Sequence, residues 1–163
     1  MTLVRIKSGV DKIVEWSLVL IFTVMTLNVL WQVFTRFVMG SPSSYTEELA
    51  RYLLMWLGLL GAGYGVGKKL HLAIDLLPMK LKGRPRVILE IVIQACILLF
   101  AFVVVLIGGA NLVGITLSLH QISAALQVKL GYVYLVLPLS GALMMFYSGL
   151  AVYENAKSLR SHS

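Results

Sequence analysis

Charge is what this sequence has least of. Asp, Glu, Lys and Arg make up 13% of its 163 residues, where a water-soluble domain carries roughly 25%. With 59% apolar residues and a mean hydropathy of +0.89, that shortage excludes water as the solvent for most of the surface. Cysteine is reduced to Cys96, inside an apolar run, so an internal disulfide and a Cys-x-x-Cys redox pair are excluded. Acids are scarce as well, and the net charge is +7. In a soluble chain that excess would suggest nucleic acid. Here the basic residues sit between apolar runs, which points to membrane topology and to no nucleic-acid partner. No His/Cys/Glu cluster stands at metal-ligand spacing, so no metal, no cofactor and no enzymatic activity are expected.

What is present is uncharged length. At ~20 apolar residues per crossing the chain holds four or at most five spans and no separate soluble domain. Arg5, Lys7 and Lys12 before an apolar stretch superficially resemble a secretory signal. Trp16 to Thr35 is uncharged throughout, too long for a signal core, and no small-x-small cleavage site follows. A first retained span is expected at about 14–37. Gly40-Ser41-Pro42-Ser43-Ser44 makes a turn, and Thr46 with Glu47 and Glu48 starts a second helix, its acids favoured by the helix dipole. That span covers about 47–67.

Between Glu90 and Lys129 lie 38 residues without charge. That is too long for one crossing and too short for two with a loop. A long or tilted helix over about 88–117, followed by a short segment from His120 to Val128, fits best. The fourth span is expected at about 130–153. The fold expected is therefore an all-α membrane domain over 1–163. The segment 70–82, apolar but interrupted by Asp75 and Pro78, reads as an interfacial helix with His71, Asp75, Lys80 and Lys82 at the lipid surface. Eleven basic residues fall on the side of the two termini and the second connection, against three on the other. Basic excess marks the cytoplasm, so both ends are expected inside.

Three constellations interrupt the apolar runs. Asn28, Gln32 and Arg36, at four-residue spacing beside Thr35, form one polar stripe on the first helix. Amides in lipid need a polar partner, so the stripe faces either a neighbouring helix of the chain, the more economical reading, or a partner protein or substrate. Arg36 should snorkel to the outer interface. Glu47, Glu48 and Arg51 form a cluster in which one guanidinium cannot neutralise two acids. It leaves a carboxylate for docking a second protein, or it is a plain surface pair. Gly58, Gly61 and Gly65 give small residues at helical spacing, and Gly61-x-x-x-Gly65 and Gly63-x-x-x-Gly67 are signatures of close packing. Trp56 is an anchor, partly interfacial and partly core.

Tyr45-Thr46-Glu47-Glu48-Leu49-Ala50-Arg51, then Trp56 with Leu60-Gly61-Ala62, then His71-Leu72-Ala73-Ile74-Asp75, resembles the signature of the small membrane subunit of tripartite ATP-independent periplasmic (TRAP) transporters. Ser123 to Leu126 followed by Tyr134 and Pro138 is similar to that family's segment before the last helix. Leu72 replaces a usual isoleucine, and Tyr45-Thr46 stands where a tryptophan is common. The order of these motifs over about 95 residues carries the resemblance.

The resemblance implies a sodium-coupled transporter of organic acids, of dicarboxylate or sialic acid type, in a bacterial inner membrane. Its partners would be a large membrane subunit on a separate chain, a periplasmic substrate-binding protein and membrane lipids. The small subunit would be a scaffold for the large one. The interface candidates are Asn28, Gln32, Arg36, Glu47, Glu48, Arg51, Trp56, Gly58, Gly61 and Gly65. The alternative is a haem- or quinone-anchoring subunit of a redox enzyme, which needs two histidines at one depth. His71 and His120 fall on opposite sides.

Overall fold

A computed structural model describes residues 2–40, 43–68 and 84–161. The 70–82 segment, with His71, Asp75, Lys80 and Lys82, lies outside the described residues. Helix α1 spans Thr2–Phe37 and α2 spans Ser44–Gly67. Helix α3 spans Arg84–Ser118. A short α4, Leu130–Tyr134, leads into α5, Val136–Ser161. Four of these stretches are long and apolar enough to cross a membrane: α1, α2, α3, and α4 with α5 taken together. The chain is an all-α, multi-pass membrane protein.

The helices form a row. Helix α1 packs on α2, α2 on α5, and α5 on α3. One end of the row carries the start of α1 and Lys68, and is called the basic end below. The other carries the turn at residue 40 and the loop 119–129. At 1.5 Å per residue, α1 and α3 each exceed a ~30 Å hydrocarbon core, so both project beyond it or tilt.

Every third or fourth residue of α1, from Lys7 through Val14, Leu18, Ile21, Met25, Asn28 and Gln32 to Thr35, is at least half-buried. This alternation of four and three is the seam of a left-handed helix pair. Between Trp16 and Trp31 the opposite face of α1 is largely exposed and apolar, including Trp16, Leu20, Leu27, Leu30 and Trp31. Its exposed hydroxyls back-bond within the helix, as from Thr23 to the Val19 carbonyl at 2.8 Å and Thr26 to Phe22 at 2.8 Å. In lipid no water can serve them instead.

Elsewhere, glycines set how closely the helices approach. A Cβ on Gly63 would come within 2.9 Å of the Leu143 side chain, and one on Gly67 within 2.7 Å of the Tyr147 ring. Across α3 and α5, a Cβ on Gly141 would meet the Leu106 amide nitrogen at 2.8 Å, and one on Gly109 the Leu137 Cβ at 2.7 Å. Lipid supplies no hydrophobic drive between helices, so such close backbone approach is what holds them together. Helix α3 widens to a π-helix over Ala101–Gly108 where Gly141 enters. Its buried positions Ala101, Val105, Gly109 and Val113 step by four. A wider turn keeps such a stripe on one face, where a pure 3.6-residue period would rotate it away.

The last crossing is broken rather than continuous. Pro138 has no N–H to offer the Tyr134 carbonyl and would crowd it, and the helix is interrupted at Leu135. Helix α5 then continues to Ser161.

Candidate functional site

The loop end is organised by Glu48. Residues 119–129 fold back on themselves: the Ser123 amide donates to the Val128 carbonyl at 2.8 Å and the Leu130 amide to the Gln121 carbonyl at 3.0 Å. His120 (φ 51°) and Gln127 (φ 55°) adopt left-handed backbone to make the turns. The fold leaves three consecutive amides pointing at α2. Those of Ala125 and Leu126 donate to Glu48 Oε2 at 2.8 and 2.7 Å, and that of Ala124 to Oε1 at 3.2 Å. The Tyr52 hydroxyl, one turn along α2, donates to Oε1 at 2.8 Å. Successive amides of this kind form a concavity for an anion, and here the chain supplies its own.

Arg51 takes the other acid, its guanidinium 3.2 Å from Glu47 Oε1 with both side chains exposed. So the surplus carboxylate read from the sequence exists, but Glu48 is engaged inside the chain rather than left over. Changing Glu48 to Gln should speed hydrogen exchange at Ala124, Ala125 and Leu126, because the neutral amide turns a donor toward donors. Changing Glu47 to Gln removes the same charge and should leave those amides as protected as before.

Trp56 also ties α2 to the broken crossing. Its indole N–H donates to the Val133 carbonyl at 2.9 Å, just before the helix break. On α1, the Asn28 amide donates to the Thr46 carbonyl at 2.7 Å. Gln32 lies on the same seam, half-buried, and its backbone carbonyl accepts from Thr35 at 3.0 Å. The stripe thus faces α2 at Asn28, Gln32 and Thr35, while Arg36 is exposed over the Phe37 ring.

The two glycine pairs of α2 face different ways. Gly63 and Gly67 meet α5. A Cβ added at Gly58, Gly61 or Gly65 meets nothing within 4 Å among the described residues. The close packing expected of Gly61-x-x-x-Gly65 is therefore not made among the described residues. Glu47, Arg51, Leu54, Gly58, Gly61 and Gly65 recur at steps of four and three. All are exposed except Gly61 and Gly65, which are half-exposed. This is a second heptad seam, and nothing described in the chain covers it. Five of the sequence-derived candidates lie on it.

The basic end holds a node that the sequence did not reveal. Asp11 of α1 accepts from the Tyr147 hydroxyl of α5 at 2.5 Å and from Lys68, at the end of α2, at 3.0 Å. The hydrogen bond to Asp11 holds the Lys68 ammonium above the ordinary lysine range. One carboxylate thus joins three helices. Residue 11 lies 136 positions from its tyrosine, and no spacing rule links them. The only sequence hint is an isolated acid among the basic residues before the first span.

Among the described residues no group of three His, Cys, Asp or Glu could hold a metal ion. The geometry defines packing seams, caps and an uncovered helix face. Its class is a multi-pass helical membrane protein with surfaces for helix contact. The sequence profile of the DctQ component of tripartite ATP-independent periplasmic transporters matches residues 25–158. The chain belongs to that family, whose members are transporter components and not enzymes.

Among curated relatives, the sialic acid TRAP transporter permease protein SiaT of Haemophilus influenzae is 27% identical over 94% of this chain and 24% of its own length. The sialic acid TRAP transporter small permease protein SiaQ of Vibrio cholerae is 26% identical over 66% of this chain and 62% of its own. The C4-dicarboxylate TRAP transporter small permease protein DctQ of Vibrio cholerae is 28% identical over 66% of this chain and 46% of its own. The chain thus spans about a quarter of the SiaT relative and under two thirds of the two small permeases.

Proposed function

We propose that this chain is the small permease subunit of a sodium-coupled transporter for a small organic acid of the sialic acid or C4-dicarboxylate type. It holds the large transport subunit in place in the bacterial inner membrane. The observation that carries this is the uncovered heptad face of α2. A 3.5-residue repeat is the period of a seam against another helix, and small residues along it let that helix approach closely. The face runs from the ion pair Glu47–Arg51 into the glycines Gly58, Gly61 and Gly65. A scaffold needs such a face and needs no reactive group.

Membership of the DctQ family supports the transporter. The relatives named for sialic acid and C4-dicarboxylates support a small organic anion as solute. The SiaT relative, about four times longer, supports a larger membrane partner. The excess of basic residues at the basic end supports placing both termini in the cytoplasm. The loop end would then face the periplasm, where Glu47, Arg51 and the 119–129 loop are available to a substrate-binding protein. The redox-anchor alternative gains no support: His120 is exposed in the loop, with Nδ1 3.0 Å from the Ser118 carbonyl, and the family is one of transporter components.

Sodium-driven uptake in vesicles tests the proposal. Vesicles holding this chain and its large subunit, with the binding protein added, should accumulate the organic acid. Those holding either membrane subunit alone should not. Undiminished uptake by the large subunit alone would sink the scaffold role, and uptake by this chain alone would make it the carrier.

A further inference from the structure

Between the start of α1 and the end of α2 lies an open groove of about 430 Å³, lined by Lys7, Ser8, Asp11, Lys12, Glu15 and Lys68. Asp11 is already taken, by Tyr147 and by Lys68. Neither Lys7 nor Lys12 has an acidic partner within 4.0 Å among the described residues. Three ammonium groups against two carboxylates leave the described lining with a single positive charge, the complement of one phosphodiester.

Depth and direction narrow the ligand further. The uncharged stretch of α1 begins at Trp16, one turn beyond Lys12, so the lysines lie at headgroup level. Past Glu15 the same face of α1 continues as Val19, Phe22 and Leu30, which are 51%, 55% and 60% exposed. A cationic pocket that opens onto an apolar track matches a charged headgroup followed by an acyl chain. A free inorganic anion would have no use for the track.

We propose that this groove seats the headgroup of an anionic glycerophospholipid of the phosphatidylglycerol kind. Lys7 and Lys12 hold the phosphodiester, the Ser8 hydroxyl donates to it, and an acyl chain lies along Val19, Phe22 and Leu30. Glu15 at the inner edge disfavours a second negative charge, which selects a phosphodiester over a phosphomonoester. Because Lys68 is held on Asp11, a lipid here would also rest against the point where α1, α2 and α5 are joined.

The test uses the full chain in nanodiscs of phosphatidylglycerol and phosphatidylethanolamine in equal parts, with the retained lipids counted by native mass spectrometry. The wild type should retain phosphatidylglycerol preferentially. K7Q/K12Q should lower that preference by about fivefold per lysine, roughly twenty-fivefold together. K7R/K12R should keep it. R84Q/K157Q removes as much charge from the same end outside the groove and should also keep it. Unchanged helix content by circular dichroism shows that each variant is folded. An equal loss in R84Q/K157Q would mean only a general surface attraction and would overturn the site. So would loss of the wild-type preference on adding millimolar inorganic phosphate, which would make the groove a site for a free anion.

Discussion

Gly141→Ala should destabilise the purified protein by about 1–3 kcal/mol, the range for forcing extra atoms into a packed interior, and Gly141→Leu should separate α5 from α3 altogether. The reason is what the new atom would strike. At Gly141 the nearest neighbours are the Leu106 amide nitrogen and Cα and the Val105 carbonyl carbon, at 2.8 to 3.1 Å. These are backbone atoms of the π-helical stretch, which cannot swing aside as a side chain can. At Gly63 the obstacle is the tip of Leu143, which has other rotamers, so Gly63→Ala should cost less. Gly149 is the comparison on the same helix pair. Its added Cβ would meet only Leu98 Cδ1, at 3.9 Å, an ordinary contact, so Gly149→Ala should be close to neutral. Thermal unfolding in detergent checks the order. Equal losses at positions 141 and 149 would mean that α3 and α5 are not held by close backbone approach.

Gly61→Leu combined with Gly65→Leu should have the opposite profile, with little effect on the fold and a large one on the complex. Neither position offers an added Cβ any neighbour within 4 Å among the described residues, so the isolated chain has room for both leucines. Two apolar side chains facing lipid are harmless to a membrane helix. If a helix of the large subunit lies along this face, each leucine holds it off by more than a methyl group. The amount of large subunit that copurifies should then fall on the order of tenfold or more, the change that a loss of about 1.4 kcal/mol in contact energy produces. Gly63→Leu would lower it too, but with loss of thermal stability. Retention of stability separates the two causes.

Much of this architecture was legible in the residues. Uncharged length gave four crossings because lipid tolerates few charges. The overlong third run ends near Ser118 because the turn-forming His120 and a loop follow. The helix break at Leu135 does not show in the hydropathy of 130–153, although Pro138 carries its cause: the effect of a proline falls on the carbonyl four residues earlier.

At the loop end, the residue types were found and their partners were not. Counting charges gave the surplus acid beside Arg51. The three amides that take Glu48 belong to residues 76 to 78 positions away, with alanine and leucine side chains that announce nothing. Backbone donors leave no trace in side-chain identity. The same holds for Asn28, whose partner is a carbonyl of α2. For the glycines, spacing identified small faces but could not say which pair meets α5, since Gly61/Gly65 and Gly63/Gly67 satisfy the same pattern two residues apart. Two residues rotate a helix face by about half a turn, and that separates an internal seam from an open one.

Cysteine cross-linking measures most directly whether the large subunit covers the open face of α2. With the native Cys96 replaced by serine, a single cysteine at Ala62, beside Gly61 on the exposed side of α2, should cross-link to the large subunit in native membranes. A single cysteine at Leu99, exposed on α3 at the far edge of the row, serves as the reference. A cross-link at Ala62 well above that at Leu99, lost when Gly61 and Gly65 are both leucine, is the result expected. Equal or absent cross-linking at Ala62 would contradict the account and leave that face to lipid.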